Sequence, residues 1–421
     1  MTAAKPGGYR QLLTLRVPRR LAMASIPADF ADWVDYAAII ALLVFAWGEG
    51  PFALALFALA LTLPYVVIGP LLAVAVDRLP LGRVLVLSNL GRALTTVALV
   101  FAASTPVVLL IVLLRAAVDS AFTPARQGAI QASTPPELLA SANGLHQAIN
   151  QTSKIVGPAL GGLLLVALPV QGVFAVNAVL SLVAALTLIG LGLPSRAKRE
   201  PLALRAELVV GIAEFRRNRL LLLALIFSAV AYFAFFLYDA LVALLTEDFG
   251  LGATAFGFGI AASGAGGLLG ALAAGRVAGS HPIGAMTAAA AVSGGVAIAV
   301  ALAALSGFAM PMPLYFLALA LMGGSTAFML VPYRTIVQAE TPPDRIGRVF
   351  ATGEAVTMAV MLSAPFIGSA IAYAYGTGAA FLSGGVLLVG LGAVTAIATR
   401  RGLPRASSHD TTRPEKMGRL R

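Results

Sequence analysis

The sequence predicts an all-α membrane protein with about twelve transmembrane helices, arranged as two pseudo-symmetric six-helix bundles. Three observations predict this class. Only 11% of the 421 residues are charged, against about 25% in soluble domains. Apolar runs long enough to cross a bilayer fill most of the chain. Polar and proline positions of the first half also recur in the second half at one constant spacing, so that Gln131 and Pro158 correspond to Gln338 and Pro365.

The apolar runs are continuous, which favours helices over the short alternating strands of a membrane barrel. Each run is close to the roughly 20 residues that a bilayer-spanning helix requires. The predicted helices are 21–47, 52–76, 84–103, 106–130, 141–168, 173–193, 220–245, 255–278, 283–306, 313–337, 348–375 and 379–399.

The basic residues are distributed unevenly between the loops. They precede the first helix, fill the long central linker and form the tail, whereas the loops of opposite parity carry no lysine or arginine. By the positive-inside rule both termini and the linker are cytoplasmic. This distribution accounts for the net charge of +11 without nucleic acid. We therefore expect a multi-pass protein of the inner or plasma membrane.

The long polar segment divides the chain. We predict an N-terminal six-helix bundle with its basic tail at 1–193, a cytoplasmic linker at 194–219, a C-terminal bundle at 220–400 and a basic cytoplasmic tail at 401–421. The linker is either an amphipathic helix along the membrane surface or a solvated connection. The basic N-terminus followed by an apolar run lacks a clear cleavage site, so we interpret it as a retained first helix.

The sequence lacks the residues on which several classes of function depend. It contains no cysteine and only three histidines, so thiol chemistry and a histidine-rich metal site are not expected. It also has no phosphate-binding loop of the Gly-x-x-x-x-Gly-Lys-Ser/Thr type, and no nucleophilic triad. We expect no enzyme activity, cofactor or metal, and a monomeric chain.

The first predicted helix carries three acids, Asp29, Asp32 and Asp35, within an arc of about 120° on one face. A charge at mid-membrane costs about 2.5–3.5 kcal/mol on insertion scales, so such side chains usually face a cavity or each other. Our hypothesis is that Asp32 or Asp35 exchanges a proton for substrate. The alternative is structural pairing with Lys154 or Arg115.

Two cations of the first half complete the proton-coupling candidates. Arg115 is either a switchable partner of the acids or an intrahelical partner of Asp119, one turn away. Lys154 is either a counter-ion for the acids or a ligand for substrate.

A polar stripe at helical spacing on the fifth helix predicts one wall of a substrate pathway. In the second half, Asp239 lies among aromatic residues, which suit an amphiphilic cation through cation–π contact or else simply face lipid. The pathway candidates are Trp33, Asn143, His146, Gln147, Asn150, Asp239, Tyr232, Phe236 and Tyr238.

The fifth helix also contains Gly157-Pro158-Ala159-Leu160-Gly161-Gly162, which returns in reduced form as Ala364-Pro365 and Gly368. Lys154 has no such counterpart, because the equivalent position is Met361. Small residues permit close helix packing. Alternatively, glycine and proline let the helices bend during transport.

These features resemble the major facilitator superfamily over about residues 20–400. Asp77-Arg78-Leu79-Pro80-Leu81-Gly82-Arg83 is similar to its cytoplasmic loop signature, although Ala73 replaces the usual glycine. The resemblance implies a gating role for Asp77, Arg78, Gly82 and Arg83. The Gly157, Pro158, Gly161 and Gly162 motif is similar to that of exporters. Pro124-Ala125-Arg126-Gln127, Asp32-Trp33 and Arg345-Ile346-Gly347-Arg348 resemble the subgroup of enterobactin exporters and macrolide efflux pumps.

The resemblance and the polar residues together predict a secondary active transporter. We expect proton-coupled efflux of an amphiphilic small molecule, such as a drug or siderophore, by alternating access. The alternatives are a lipid or lysophospholipid transporter of the same fold and a non-transporting membrane receptor, which would need a larger signalling tail.

Overall fold

The computed structural model describes residues 8–69, 79–193, 204–277, 281–342 and 345–400. The secondary structure of these residues is helical, with no strand. In chain order the helices are α1 (Gly8–Thr14), α2 (Arg16–Ala41), α3 (Pro51–Val67), α4 (Leu81–Val100), α5 (Thr105–Ser133), α6 (Leu139–Ala167), α7 (Val170–Leu188), α8 (Leu204–Arg217), α9 (Arg219–Phe236), α10 (Val242–Asp248), α11 (Ala253–Val277), α12 (Pro282–Leu305), α13 (Met312–Glu340), α14 (Ile346–Tyr375) and α15 (Thr377–Arg400).

Nine helical segments within the described residues are long and apolar enough to cross a membrane. They coincide with nine of the predicted spans, and α9 and α10 together form one of them. The other three predicted spans, 21–47, 52–76 and 141–168, correspond to α2, α3 and α6. Of these, α2 and α6 carry the polar side chains that the sequence singles out. The end of the 52–76 span lies outside the described residues.

The helices form two groups that follow the predicted halves. In the first, α2 packs on α6 and α7, and α4 packs on α7. In the second, α11 packs on α13, and α12 on α15. Each group has its own apolar core, around Leu85 and Phe122 in the first half and around Leu221 and Ile336 in the second. The domain boundaries themselves remain a prediction.

Contacts between the halves occur where α3 meets α14 and where α6 meets α11. Ser369 Oγ donates a hydrogen bond to the carbonyl oxygen of Pro51 over 2.8 Å. Nearby, the rings of Phe52 and Tyr373 are 5.6 Å apart. Pro51 begins α3 and Ser369 lies near the end of α14, so this contact joins helix ends that the charge pattern predicts to be on the outer side.

Glycines let the helices of the second half approach backbone to backbone. A Cβ on Gly266 would clash with the carbonyl oxygen of Ala320, and one on Gly270 with that of Gly324. A Cβ on Gly323 would clash with the carbonyl oxygen of Ser263. These contacts hold α11 against α13. They support the packing interpretation of the small residues at these positions.

The structure corrects the prediction that Asp239 lies in the middle of a continuous helix. Helix α9 ends at Phe236, and Asp239–Leu241 forms a 3₁₀ turn before α10 begins. Tyr238 N–H bonds to the carbonyl oxygen of Phe235, three residues earlier. At this break Gly368 of α14 lies directly against the carbonyl oxygen of Leu237, a contact that any side chain on Gly368 would block.

The predicted linker contains the helix α8, and residues 194–203 lie outside the described residues. The helix packs against α14, where Arg345 pairs with Glu214 at 2.8 Å. Asn218 then caps α9 by accepting from the N–H of Leu220 at 2.9 Å. The helical alternative for this segment is therefore the one observed, whereas its position on the membrane remains a prediction. The predicted tail 401–421 also lies outside the described residues.

Candidate functional site

Each of the three aspartates of α2 faces an arginine from another helix. Asp29 pairs with Arg126 at 2.7 Å, and Asp35 pairs with Arg115. Asp32 also accepts from Arg115, at 3.0 Å. The side chains of Asp29 and Asp35 are 4% and 1% exposed, but that of Asp32 is 36% exposed. The structure thus brings the predicted acids together with Arg115, and only Asp32 is substantially open.

The structure distinguishes the two roles considered for Arg115. Its guanidinium reaches Asp32 and Asp35 on α2. Asp119, the intrahelical alternative, instead accepts from the hydroxyl of Tyr65 and lies 3.6 Å from Arg92 Nε. Arg115 therefore links two helices, as expected of a partner for the acids of α2.

Arg92 of α4 is the site residue that the sequence analysis missed. Its side chain is 0% exposed and pairs with Asp32. Its Nη2 also donates to the carbonyl oxygen of Ala28 over 2.9 Å, and its guanidinium lies 5.2 Å from the centre of the Phe122 ring. The available signal was an arginine in the middle of an apolar helix, where a charge is costly unless it is paired.

Of these charged groups, Asp32, Arg115 and Asp119 border a cavity of about 260 Å³ in the first half. Four helices contribute to it, and its wall combines charged, amide and aromatic side chains. The lining residues are Asp32, Trp33, Tyr36, Ile39, Phe57, Leu61, Tyr65, Val112, Arg115, Ala116, Asp119, Asn150 and Lys154.

Lys154 lies on the cavity wall with its Nζ 5.8 Å from the centre of the Trp33 ring. Among the described residues it makes no ion pair, because the aspartates of α2 are taken by arginines. The counter-ion role is therefore not realised by direct contact in this conformation. Cation–π contact is the interaction that holds the ammonium group.

The residues of the predicted polar stripe on α6 lie in two different environments. Asn150 lines the cavity, and the side chains of Asn143 and Gln147 are exposed. His146, by contrast, is buried, and its Nδ1 lies 3.0 Å from Ser25 Oγ. The structure thus places His146 in the packing between α6 and α2 and leaves the other three on open faces.

The aromatic candidates of the second half also divide. Tyr232 and Phe236 stack with centroids 6.0 Å apart and remain half-buried. Tyr238 is 1% exposed and stacks on Phe381 at 4.7 Å, so it belongs to the packing of the second half. The turn Asp239–Leu241 packs against α3, whose Phe57 and Leu61 line the cavity. Asp239 is therefore the candidate of the second half that approaches the site.

Arg334 of α13 is a second charged residue that the sequence analysis did not single out. It is exposed and interacts electrostatically with Lys154 of the first half. It also interacts with Tyr232.

A comparison with known proteins identifies the family of the chain. The Major Facilitator Superfamily profile matches residues 21–360. The chain belongs to the Major Facilitator Superfamily. Among its relatives, "Uncharacterized MFS-type transporter YfiS" of Bacillus subtilis (strain 168) is 28% identical over 88% of this chain and 90% of its own length. "Macrolide efflux protein A" of Enterococcus faecalis is 26% identical over 71% of this chain and 94% of its own.

Solved structures share the fold of this superfamily member at low sequence identity. The nucleoside transporter NupG aligns with a TM-score of 0.70 at 14% identity, covering 91% of this chain and 98% of its own. A bacterial homolog of the human lysosomal transporter Spinster, inward-facing and occupied, aligns at 0.70 and 16%, covering 94% and 98%. The superfamily match and the transporter relatives show that the protein is a multi-pass membrane transporter rather than an enzyme, as predicted.

The Gly157–Gly162 motif of this superfamily member is a packing junction. A Cβ on Gly157 would lie 2.6 Å from Trp33 Cβ, and one on Gly161 would lie 3.1 Å from Ala37 Cβ. A Cβ on Gly162 would lie 3.1 Å from the carbonyl oxygen of Thr254. Gly157 and Gly161 thus allow α6 to pack closely on α2, and Gly162 allows α11 of the other half to approach α6. Pro158 lies inside α6 between these contacts.

The superfamily loop signature is described only in part. Asp77 and Arg78 lie outside the described residues. Gly82 lies at the start of α4, where a Cβ would be 2.8 Å from the carbonyl oxygen of Leu191. Arg83 is exposed. The gating role of all four residues remains a prediction.

Proposed function

We propose that this transporter exports an amphiphilic small molecule, such as a drug or siderophore, in exchange for protons. The observation that carries the proposal is the environment of Asp32. Its carboxylate is 36% exposed on the cavity wall and accepts from Arg115 at 3.0 Å. Water in the cavity can reach this carboxylate, so it can exchange protons with the cavity, whereas Asp29 and Asp35 are buried against their arginines.

The remaining wall suits an amphiphilic substrate. Trp33, Tyr36 and Phe57 form a chain of ring contacts, at 5.7 Å and 5.8 Å between centroids. Asn150 and Lys154 add polar groups on the facing helix. An apolar wall with a few convergent polar groups is typical of small-molecule sites. The similarity to macrolide efflux proteins supports export as the direction.

The arrangement of the halves supports alternating access. With both termini cytoplasmic, the contacts of Pro51 with Ser369 and of Gly162 with Gly257 lie on the outer side. The cytoplasmic side is then the proposed entrance to the cavity, and rocking of residues 1–193 against 220–400 would expose it to the other side. The linker 194–219 connects the moving parts. We propose a monomer of the inner or plasma membrane with a small molecule and protons as its partners.

The test is transport by purified protein in liposomes with an imposed proton gradient and a pH-sensitive dye. The probes are a lipophilic cation, a macrolide, a siderophore and a lysophospholipid. We expect probe-dependent proton flux that is lost in Asp32→Asn. Glu247→Gln, which changes an exposed acid outside the cavity, is the matched control and should retain the flux.

Each other outcome identifies a different function. Active movement of a probe without proton flux contradicts the proton as coupling ion. Movement of the lysophospholipid alone favours the lipid transporter. Binding of probes without any movement across the bilayer favours the receptor.

A further inference from the structure

Helix α8 reaches the membrane surface because of its position in the chain. It ends at Arg217, and α9, which belongs to a segment long and apolar enough to cross a membrane, begins at Arg219. Since a span begins where the hydrocarbon begins, the end of α8 lies level with the lipid headgroups. The charge pattern predicts that this is the cytoplasmic side. A helix in this place can contact lipid without crossing the bilayer.

One face of α8 is fixed to the second half. Phe215 is 2% exposed in the apolar core of that half, and Glu214 pairs with Arg345 at 2.8 Å. A Cβ on Gly211 would lie 2.7 Å from the carbonyl oxygen of Arg348. Because this glycine lets α8 rest directly on the backbone of α14, the orientation of the whole helix is defined.

The opposite face of α8 is open and basic. Ile212, Arg216 and Arg217 are exposed. At helical spacing these three side chains lie within an arc of about 140° that points away from Gly211 and Phe215. The open face therefore combines two guanidinium groups with one apolar side chain, as in helices that lie at a membrane surface.

The described acids near α8 do not neutralise this face. Glu214 is engaged in its ion pair on the buried face, and Glu340 accepts a hydrogen bond from the side chain of Asn218 over 3.0 Å. Neither exposed arginine of α8 makes an ion pair with another described residue. Arg219, exposed at the start of α9, adds a third positive charge beside them. The surface is thus complementary to a negatively charged partner.

The first half contains a counterpart of this arrangement. Helix α1 precedes α2 as α8 precedes α9, and it packs on α6, which corresponds to α14 in the internal repeat. A Cβ on Gly8 of α1 would meet the side chain of Ser141, the position that corresponds to Arg348. Docking of a short helix through a glycine is therefore part of the duplicated architecture. Because α1 contains a single arginine, Arg10, α8 provides the more basic of the two faces.

We propose that the open face of α8 binds the headgroups of anionic phospholipids in the adjacent leaflet. Arg216 and Arg217 bind the phosphate groups, since guanidinium groups make charge-assisted hydrogen bonds to phosphate oxygens. Ile212 packs against the upper part of the acyl chains. The docking of α8 orients both arginines before the lipid arrives, which reduces the entropy lost on binding. This binding depends neither on the exported substrate nor on protons.

The test is the quenching of one fluorophore by lipid in the full-length protein. The chain has no native cysteine, so Ile212→Cys can carry the label. The protein is reconstituted in phosphatidylcholine vesicles that contain equal fractions of either brominated phosphatidylglycerol or brominated phosphatidylcholine. We expect the relative binding constant to favour phosphatidylglycerol at least about fivefold, the effect of one basic residue near an anionic surface. Arg216→Gln/Arg217→Gln should lower this constant about fivefold or more.

Two further variants separate the face of α8 from net charge and from folding. Arg83→Gln/Arg276→Gln removes two exposed arginines elsewhere and should leave the binding constant unchanged. Arg216→Lys/Arg217→Lys keeps both charges and should keep most of the preference. An equal fall in the Arg83→Gln/Arg276→Gln variant would show a response to total charge and overturn the proposal. Quenching by aqueous iodide but by neither lipid would overturn it too, because α8 would then face water or a soluble partner.

Discussion

Gly257 of α11 lies so close to Gly162 of α6 that a Cβ on Gly257 would be 2.8 Å from Gly162 Cα and 2.6 Å from the carbonyl oxygen of Pro158. The two halves of the transporter therefore touch through backbone atoms at this point. Because backbone cannot retract as a side chain can, the contact tolerates no added atom.

The first prediction concerns this contact. Gly257→Ala should weaken the outer contact between the halves by about 1–3 kcal/mol, the usual cost of overpacking, and so favour the conformation in which they separate there. The measurement is the rate at which a cysteine at Phe52 reacts with a membrane-impermeant maleimide, since the chain has no native cysteine. Faster labelling is expected. Gly295→Ala, where a Cβ meets nothing within 4 Å, should leave the rate unchanged.

A second prediction concerns a covalent cross-link between the two halves on the same side of the molecule. Phe52 and Tyr373 come from different halves, and their rings are 5.6 Å apart. Phe52→Cys/Tyr373→Cys should be joined by a short thiol cross-linker, and transport should stop while the link holds. A reducible cross-linker allows transport to be restored by a reductant. Phe52→Cys alone provides the control for modification of one side. Continued transport by the fully linked protein would contradict rocking of the halves.

The third prediction distinguishes Asp35 from Asp32, two acids of α2, by the effect of their removal on the free energy of unfolding. Asp35→Asn removes a 1% exposed carboxylate that pairs with Arg115, so the free energy of unfolding should fall by up to about 3–5 kcal/mol, as for a broken buried pair. Asp32→Asn should cost less, because that side chain is 36% exposed and Asp119, 3.6 Å from Arg92 Nε, remains as a partner for the buried Arg92. Thermal unfolding in detergent measures both. Asp35→Asn/Arg115→Gln should recover part of the loss, and equal losses for the two single variants would refute the distinction.

The fourth prediction uses the internal repeat. Lys154→Met introduces the residue that stands at the equivalent position of the second half, Met361. Since Lys154 has no ion pair among the described residues, its removal orphans no acid. The unfolding temperature should stay the same or rise, while transport should decrease. Met361→Leu serves as the control for packing at the equivalent site. A large fall in unfolding temperature would show that Lys154 stabilises the acids after all.

The fold was predictable because apolar length and the recurrence of Pro158 as Pro365 are properties of the chain itself. The same holds for the acids of α2, since helical periodicity alone places them on one face. Their partners depend on which helices pack together. Arg92 is one arginine in an apolar run, and nothing in its neighbourhood along the chain indicates that it reaches Asp32.

Other differences also arise from tertiary packing. The break before Asp239 lies where Gly368, a residue far away in sequence, approaches Leu237. Tyr238 belongs to the same aromatic run as Tyr232, yet it stacks on Phe381 inside the second half. Local composition cannot distinguish two aromatic residues whose surroundings are set by other helices.

The helices of the first half and those of the second half are held together by different kinds of interaction. Among the described residues, the ion pairs within membrane-spanning helices belong to the first half, whereas α11 and α13 of the second half meet through glycine backbones. Carboxylates lose their charge in acid, but contacts between backbones do not change with pH. Acidification should therefore weaken the packing of the first half and leave that of the second half unchanged. In an acidic compartment only the first half would become more mobile.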